Sequence, residues 1–552
     1  MRKRTLLTSA VMLAPGLTPL VAGGAQAAAG TPGDINKDGY RDVVVSAPDA
    51  KVSGHAKAGA VVIMYGTARG IDTARRTVLT QNSPGIPGGA EAGDRFGAAV
   101  VVHDLNADGY SDLVVGAPGE EVSGDVGGGS VTVVWGTASG PTKAKTVADP
   151  WPSSHDAYGR TLAVGTYNSL NPVNDGKLSI AIGANDGEVT FMPADLSAQS
   201  GTSGIGTDFN PAHGIVALTA VDLPNTDDDR LMVHGRGVWD GGWGYDGQGD
   251  DPGTRLGSPG GFDTAVLPPG TVSAVGNLDG NGSPDLVVGN PEDPAQSPET
   301  SLGGRVTVYY DAGYGGSPSR IQTISQDTPG VPGAGEAGDR FGASVAIGDT
   351  DKDGRADLVI GAPGEDGNTG AVTVVRGTTG TLDSGHARTW TQNSPGVPGS
   401  SEKGDAFGAA VRIVDTNGDG YADVLVGAHG EAVGSAGSAG SATLLRGSAA
   451  GLTATGAKAW SQNTAGVPGT AEKGDKFAAS TQLIDLNKDG RAEAVAGTPG
   501  ENSDGLVWIS RGSTTGPVTS GSTTTSGTGA GLTRRYSEID FGKELTGAHS
   551  SL

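Results

Sequence analysis

The stretch DTDKDGRADLVIGAP, residues 349–363, holds an acidic nine-residue loop with glycine at its sixth place, running directly into an apolar β-run. Five further copies stand in the chain: DINKDGYRDVVVSAP from Asp34, DLNADGYSDLVVGAP from Asp104, NLDGNGSPDLVVGNP from Asn277, DTNGDGYADVLVGAH from Asp415 and DLNKDGRAEAVAGTP from Asp485. Recurrence at long, nearly constant spacing is the signature of a repeat array, in which each unit buries its apolar faces against its neighbours. Two weaker positions lie between: Leu178–Gly183 after a degraded loop at 171–179, and Leu231–Gly235 after one beginning at Asp222. They raise the number of loop positions to eight.

Each loop-and-strand is followed by a second short strand, as in Ala60–Tyr65, Ser130–Trp135, Arg305–Tyr310 and Ala371–Arg376. A longer loop then recurs four times: QNSPGIPGGAEAGDRFGAAV from Gln81, with relatives from Gln326, Gln392 and Gln462. Its aromatic residue (Phe96, Phe341, Phe407, Phe477) stands eight residues before the next acidic loop every time. Several short strands per unit without intervening helix predict small stacked antiparallel sheets, and radial repetition makes them an all-β propeller of seven or eight four-stranded blades, with the count favouring eight. The N-terminal loop at Asp34 has no Phe-Gly strand before it, whereas Phe541-Gly542 has no acidic loop after it. The two ends are therefore expected to complete one blade and close a ring. Residues 513–531, dominated by Ser, Thr and Gly, read as a flexible connector to the closing strand.

These Phe-Gly and Gly-Ala-Pro motifs resemble the FG-GAP repeat of the β-propeller head of integrin α subunits, over most of the chain apart from a looser fit around 150–270. The resemblance implies a propeller with calcium in loops on one face and partner contacts elsewhere. The leg domains and membrane span of eukaryotic integrin α chains are not seen, so the likeness is to a secreted form of bacterial type.

The loop chemistry suits a hard cation. In the copy from Asp349, places one, three, five and nine offer the carboxylates of Asp349, Asp351, Asp353 and Asp357, while Arg355 at place seven can offer only its backbone carbonyl. Calcium takes six to eight oxygens at about 2.3–2.6 Å, so this set with water fills a site. The equivalent sets are Asp34, Asn36, Asp38, Tyr40 and Asp42; Asp104, Asn106, Asp108, Tyr110 and Asp112; Asn277, Asp279, Asn281, Ser283 and Asp285; Asp415, Asn417, Asp419, Tyr421 and Asp423; and Asp485, Asn487, Asp489, Arg491 and Glu493. By carboxylate count the Asp349 loop ranks first and the Asn277 loop last, and the degraded loops are expected to bind nothing. An EF-hand is excluded, because place twelve is Val45, Val115, Val288, Ile360, Val426 or Ala496 inside a β-run. Calcium of this kind braces blades, with affinities of about 0.1–1 mM that serve outside a cell.

Arg2, Lys3 and Arg4, the apolar run Leu6–Val21 and the small-x-small site Ala25-Gln26-Ala27 read as a secretory signal over residues 1–28, ahead of a propeller over 29–552. Cysteine is absent, and 61 acidic against 37 basic residues give a net charge of -24, which disfavours nucleic acid and anionic membranes. The expectation is a secreted, monomeric binding or adhesion module for an extracellular protein or glycan, with no membrane insertion.

Glu120, Glu365, Glu431 and Glu501, and Asp94, Asp339, Asp405 and Asp475, read as turn-capping acceptors rather than ligands. Trp239–Tyr245, with exposed aromatics on a Gly-rich loop, carries the alternative of a lectin-type propeller. A secreted hydrolase is the alternative from another class. No G-x-S-x-G elbow, H-E-x-x-H pair or cysteine nucleophile supports it.

Overall fold

In a computed structural model of the chain, the described residues are 31–147, 149–152, 156–167, 177–185, 187–196, 203–206, 215–221, 229–236, 252–258, 261–262, 272–291, 302–311, 318–532 and 541–546. Helix is confined, among these, to the single turn Glu365–Asn368 and a 3₁₀ turn at Glu501–Ser503. Everything else of regular structure is antiparallel β-sheet, and the molecule is an all-β propeller.

One blade shows how the repeat folds. Ser344–Gly348, Asp357–Ala362, Ala371–Arg376 and Asp383–Trp390 pair side by side in chain order. The second strand, DLVIGA, is buried at every residue. Its continuous apolar run fits a strand covered on both faces by neighbouring blades, where an alternating pattern would expose a polar face. The fourth strand is the sheet edge, and its exposed residues include His386 and Arg388. Charged side chains there discourage edge-to-edge pairing.

The same four-strand order recurs from Ala99–Val147, Thr161–Gly206, Val272–Ile324, Ala410–Trp460 and Ser480–Ser526. The N-terminal sheet places Val43–Ala47, Ala60–Thr67 and Gly70–Leu79 beside a strand from the other end of the chain, Glu544–Thr546. Val45 lies opposite Leu545 in that pairing, as the motifs at the two ends require. These make seven regular blades. The arc 215–262 departs from them: its sheet has a bulge between Ile215 and Ala217 and ends in a two-residue strand, Gly261–Phe262. The sequence count, which favours eight blades over seven, is corrected there to seven. That arc keeps the GAP-like strand Leu231–Gly235 but has His234 opposite Ala217, where the regular blade has Gly361 opposite Ser344.

That glycine explains the motif itself. A Cβ on Gly361, of the GAP strand, would stand 2.1 Å from the carbonyl of Gly408, the glycine of the next blade's Phe-Gly. Phe407 is fully buried and packs with Val372, Val374, Val424 and Val426, so one ring joins two blades. The two motifs are halves of one inter-blade contact.

The segment 513–531 is corrected as well. Val518–Ser526 pairs with Leu506–Arg511 as the outer strand of its blade. Threonine is β-branched and suits a half-exposed strand, so a Ser/Thr-rich composition did not mean a connector here.

Candidate metal loops

Each acidic loop joins the first strand of a blade to the second, or directly precedes the second strand in the N-terminal blade, so all six stand at the same end of their sheets. In the Asp34 loop, the Asp34 carboxylate accepts the N–H groups of Asp38 and Gly39 at 3.1 and 2.7 Å. Asn36 Oδ1 accepts from Asp38 N–H at 2.9 Å, and Asp38 Oδ1 from Tyr40 N–H at 3.1 Å. The loops from Asp104, Asp349 and Asp485 repeat this set, and Asp415 accepts further N–H groups from Asn417 and Gly418. The turn needs positive φ at places four and six. Lys37, Ala107, Lys352 and Lys488 adopt φ of 56, 57, 60 and 57° at place four, and glycine supplies place six. Backbone donors thus wind the loop so that the oxygens of places one, three and five converge. Asp349, Asp351 and Asp353 bring ligand atoms within 4.8 Å of one another.

Place nine is built differently. Asp112 is fully buried, and its two oxygens accept N–H groups from Leu105 (3.0 Å) and Gly136 (2.8 Å). It therefore staples the loop to the end of the blade's third strand. Asp42, Asp357, Asp423 and Glu493 do the same, with Gly66, Gly377, Gly447 and Gly512 as the far donors. Burial pushes the carboxyls of Asp42, Asp112 and Glu493 up to about 7 and that of Asp285 up to about 6. Asp357 and Asp423 are raised by the same cause. Asp357 stands outside the convergent group of Asp349, Asp351 and Asp353.

Neighbouring loops are linked in series. The carbonyl of Asp34 accepts Ser111 N–H at 2.8 Å, that of Asn277 accepts Ala356 N–H at 3.0 Å, and that of Asp349 accepts Ala422 N–H at 2.9 Å. Asp229 N–H to the Thr166 carbonyl, at 2.6 Å, keeps this link in the irregular arc. Lys37 reaches the Asp108 carbonyl at 2.6 Å and Lys352 the Asp419 carbonyl at 3.0 Å, each over the ring of the next loop's Tyr110 or Tyr421. Arg41 N–H meets the Leu486 carbonyl at 3.3 Å, and Lys488 meets Thr31, joining the last loop to the first.

Several participants are not evident from the acidic pattern. Asp311 accepts from Asn281 Nδ2 at 2.7 Å and so adds a carboxylate beside the Asn277 loop; it stands where other blades have glycine after the third strand. Arg376 pairs with Asp351, and Arg446 with Asp423. A recurring Arg-Gly at 376, 446 and 511 is the sequence signal for these. Tyr158-Gly159 takes the Phe-Gly place of the third blade, and Gly129 bridges to Tyr158 as Gly59 does to Phe96.

The capping expectation divides. Asp339 accepts Glu336 N–H at 2.8 Å and Asp405 accepts Glu402 N–H at 2.6 Å, as turn caps do. Glu501 instead accepts from the side chain of Gln462 at 2.6 Å, and Glu120, Glu365 and Glu431 pair likewise with Gln81, Gln326 and Gln392. Trp239–Tyr245 and the degraded loops at 171–176 and 222–228 lie outside the described residues.

FG-GAP repeats match residues 27–64, 96–134, 341–375 and 407–445, which include this glycine-to-glycine seam. The chain is similar to the integrin alpha-5 of Xenopus laevis, 37% identical over 165 residues, 29% of this chain and 14% of that one. It is also similar to mouse phosphatidylinositol-glycan-specific phospholipase D, 39% identical over 110 residues, 20% of this chain and 13% of that one. The matched segments thus span about one seventh of these relatives' length. Among solved structures, the exotype rhamnogalacturonan lyase YesX aligns over 88% of this chain and 72% of its own, at 16% identity and a TM-score of 0.44.

Proposed function

We propose that the chain is a secreted, calcium-braced propeller that serves as an extracellular binding or adhesion module for a protein partner. The observation that carries the reading is the series of convergent oxygen loops on one end of the blades, tied loop to loop. Places one, three and five with the place-seven carbonyl would hold calcium, and place nine would complete the shell while keeping its backbone bonds. Hard oxygen donors in this number fit calcium rather than a softer metal. The ion supplies charge neutralisation and rigidity; the chain's own residues position the loops.

In this reading the seven regular blades close as a ring, with the arc 215–262 as an irregular segment between two of them. The first strands touch in the order 544–546, 99–103, 161–165, 215–221, 272–276, 344–348, 410–414 and 480–484, and the last touches the first again. Val43, Val45 and Val62 share a core with Val495, Val507 and Ile509 across the join. Residues 1–28 act as the export signal, and among the described residues no helix is long and apolar enough to cross a membrane. The adhesion role is inferred from the likeness to integrin alpha chains.

Calorimetry of the mature chain in calcium and in EDTA, with bound calcium counted by mass spectrometry, tests the brace. At 2 mM calcium and an affinity of about 0.2 mM, each site adds about 1.4 kcal/mol. Bound calcium and a higher melting temperature are expected. No bound calcium and no shift would refute it.

A further inference from the structure

Two of the acidic loops already hold an arginine reaching in from the end of a third strand, whereas the loop from Asp485 has its own Arg491 on Asp489 at 3.4 Å. Arg376, the last residue of the third strand Ala371–Arg376, sets its guanidinium on Asp351 at place three of the Asp349 loop; the Asp351 side chain is only 2% exposed. Arg355 pairs with Asp353 in the same loop. One blade on, Arg446 ends Ser441–Arg446 and donates to Asp423 Oδ2 at 2.7 Å and to Thr416 Oγ1 at 3.0 Å, and stands 3.8 Å from Asp419. The Arg446 side chain is itself 12% exposed, so the pairing is held by packing.

The equivalent position carries no charge beside three other loops. It is Tyr65 in the blade of the Asp34 loop, Trp135 in that of the Asp104 loop and Tyr310 in that of the Asn277 loop. The hydroxyls of Tyr65 and Tyr310 are spent on the outer strand, on Thr77 and Gln322. Trp135 packs in the apolar cluster with Leu105. In the blade of the Asp485 loop, Arg511 lies along Gly521 of the adjacent strand. The carboxylates of the Asp349 and Asp415 loops are thus neutralised from within, whereas those of the Asp34 and Asp104 loops are not.

We infer that Arg376 and Arg446 are tethered counter-cations that compete with calcium for their loops. The inference rests on the calcium reading above. It reverses the ranking by carboxylate count: the Asp349 loop, with the most carboxylates, needs more calcium than the Asp34 and Asp104 loops, because the ion must displace a guanidinium or bind beside it. Like charges a few ångströms apart at a protein surface repel by energies worth tenfold or more in affinity. The same arginines hold their two loops in shape without calcium. One arc of the propeller is therefore permanently braced and another responds to calcium.

Loop-resolved hydrogen exchange across a calcium titration of the full chain tests this, using wild type, Arg376→Met, Arg446→Met and Arg376→Lys. In the wild type, loops 34–42 and 104–112 should gain protection at lower calcium than 349–357 and 415–423. Arg376→Met should lower the calcium midpoint of 349–357 about tenfold and leave 104–112 unmoved, with Arg446→Met doing the same for 415–423. In EDTA each Met variant should exchange faster in its own loop, and Arg376→Lys should stay near wild type. Earliest protection at 349–357 in the wild type, or unmoved midpoints in both Met variants, overturns the inference while leaving the calcium reading intact. A wild type that binds no calcium overturns both.

Discussion

Replacing Asp112 with alanine separates the two roles that a carboxylate plays in these loops. Asp112 is fully buried and is the acceptor for Leu105 and Gly136 N–H at 3.0 and 2.8 Å. Removing it strands two buried donors at about 1–3 kcal/mol each, so the loss is about 2–6 kcal/mol in EDTA, with no calcium involved. Asp108, at place five, is exposed and accepts Tyr110 N–H at 2.9 Å, so Asp108→Ala in EDTA should stay within about 0.5 kcal/mol. The pH dependence has a definite sign. The Asp112 carboxyl is raised by burial from 3.8 to about 7 in the folded chain, so the wild type gains stability as pH falls from about 7 toward 3.8. The alanine variant lacks that gain, so its deficit is larger at pH 5.5 than at pH 8. Denaturant unfolding in EDTA at both pH values, with amide exchange at Leu105 and Gly136, reads the effect. If Asp112→Ala matches Asp108→Ala in EDTA, or its deficit shrinks on acidification, the staple argument is wrong.

Glu431 is raised by burial to about 7 beside Asp405 and Glu402, and its partner Gln392 has a buried Oε1 without a hydrogen-bond donor. A protonated Glu431 can donate to that oxygen, so the pair should tighten as pH falls from about 7 toward 4.5, and Glu431→Gln should flatten the pH dependence of melting in EDTA. Gly361→Ala forces a methyl to within 2.1 Å of the Gly408 carbonyl; a loss of at least about 1–3 kcal/mol is expected by denaturant unfolding, and an unchanged midpoint would refute the seam. Phe407→Ala empties the same inter-blade core and should cost about 3–5 kcal/mol in that assay.

The propeller was legible because its rules are local and repeated. Acidic loop, GAP strand and Phe-Gly each meet the same neighbour in successive blades, so copies reinforce one another. Tyr158 escaped because a tyrosine fills the phenylalanine's place with a ring of the same shape. Val518–Ser526 escaped because composition suggested a tether, whereas register placed threonines on an outer strand. For the candidate site, the converging places one, three and five followed from oxygen chemistry alone. The double duty of place nine did not, since an aspartate looks the same whether it faces solvent or the end of a third strand. Arg376 lies 25 residues beyond Asp351 in sequence, and only the pairing of second and third strands brings them together.

The pairing of Val44–Ser46 with Glu544–Thr546 also has a temporal side. Each other regular blade is assembled from one contiguous segment and can form soon after it is synthesised. The N-terminal blade cannot, because its fourth partner is made some 500 residues later. Until then Val43–Ala47, an all-apolar strand but for Ser46, presents an open hydrogen-bonding edge. Contacts so distant in sequence are slow to form, and open apolar edges invite pairing with other chains. The synthesis of residues 544–546 therefore sets the earliest time at which that edge can be covered.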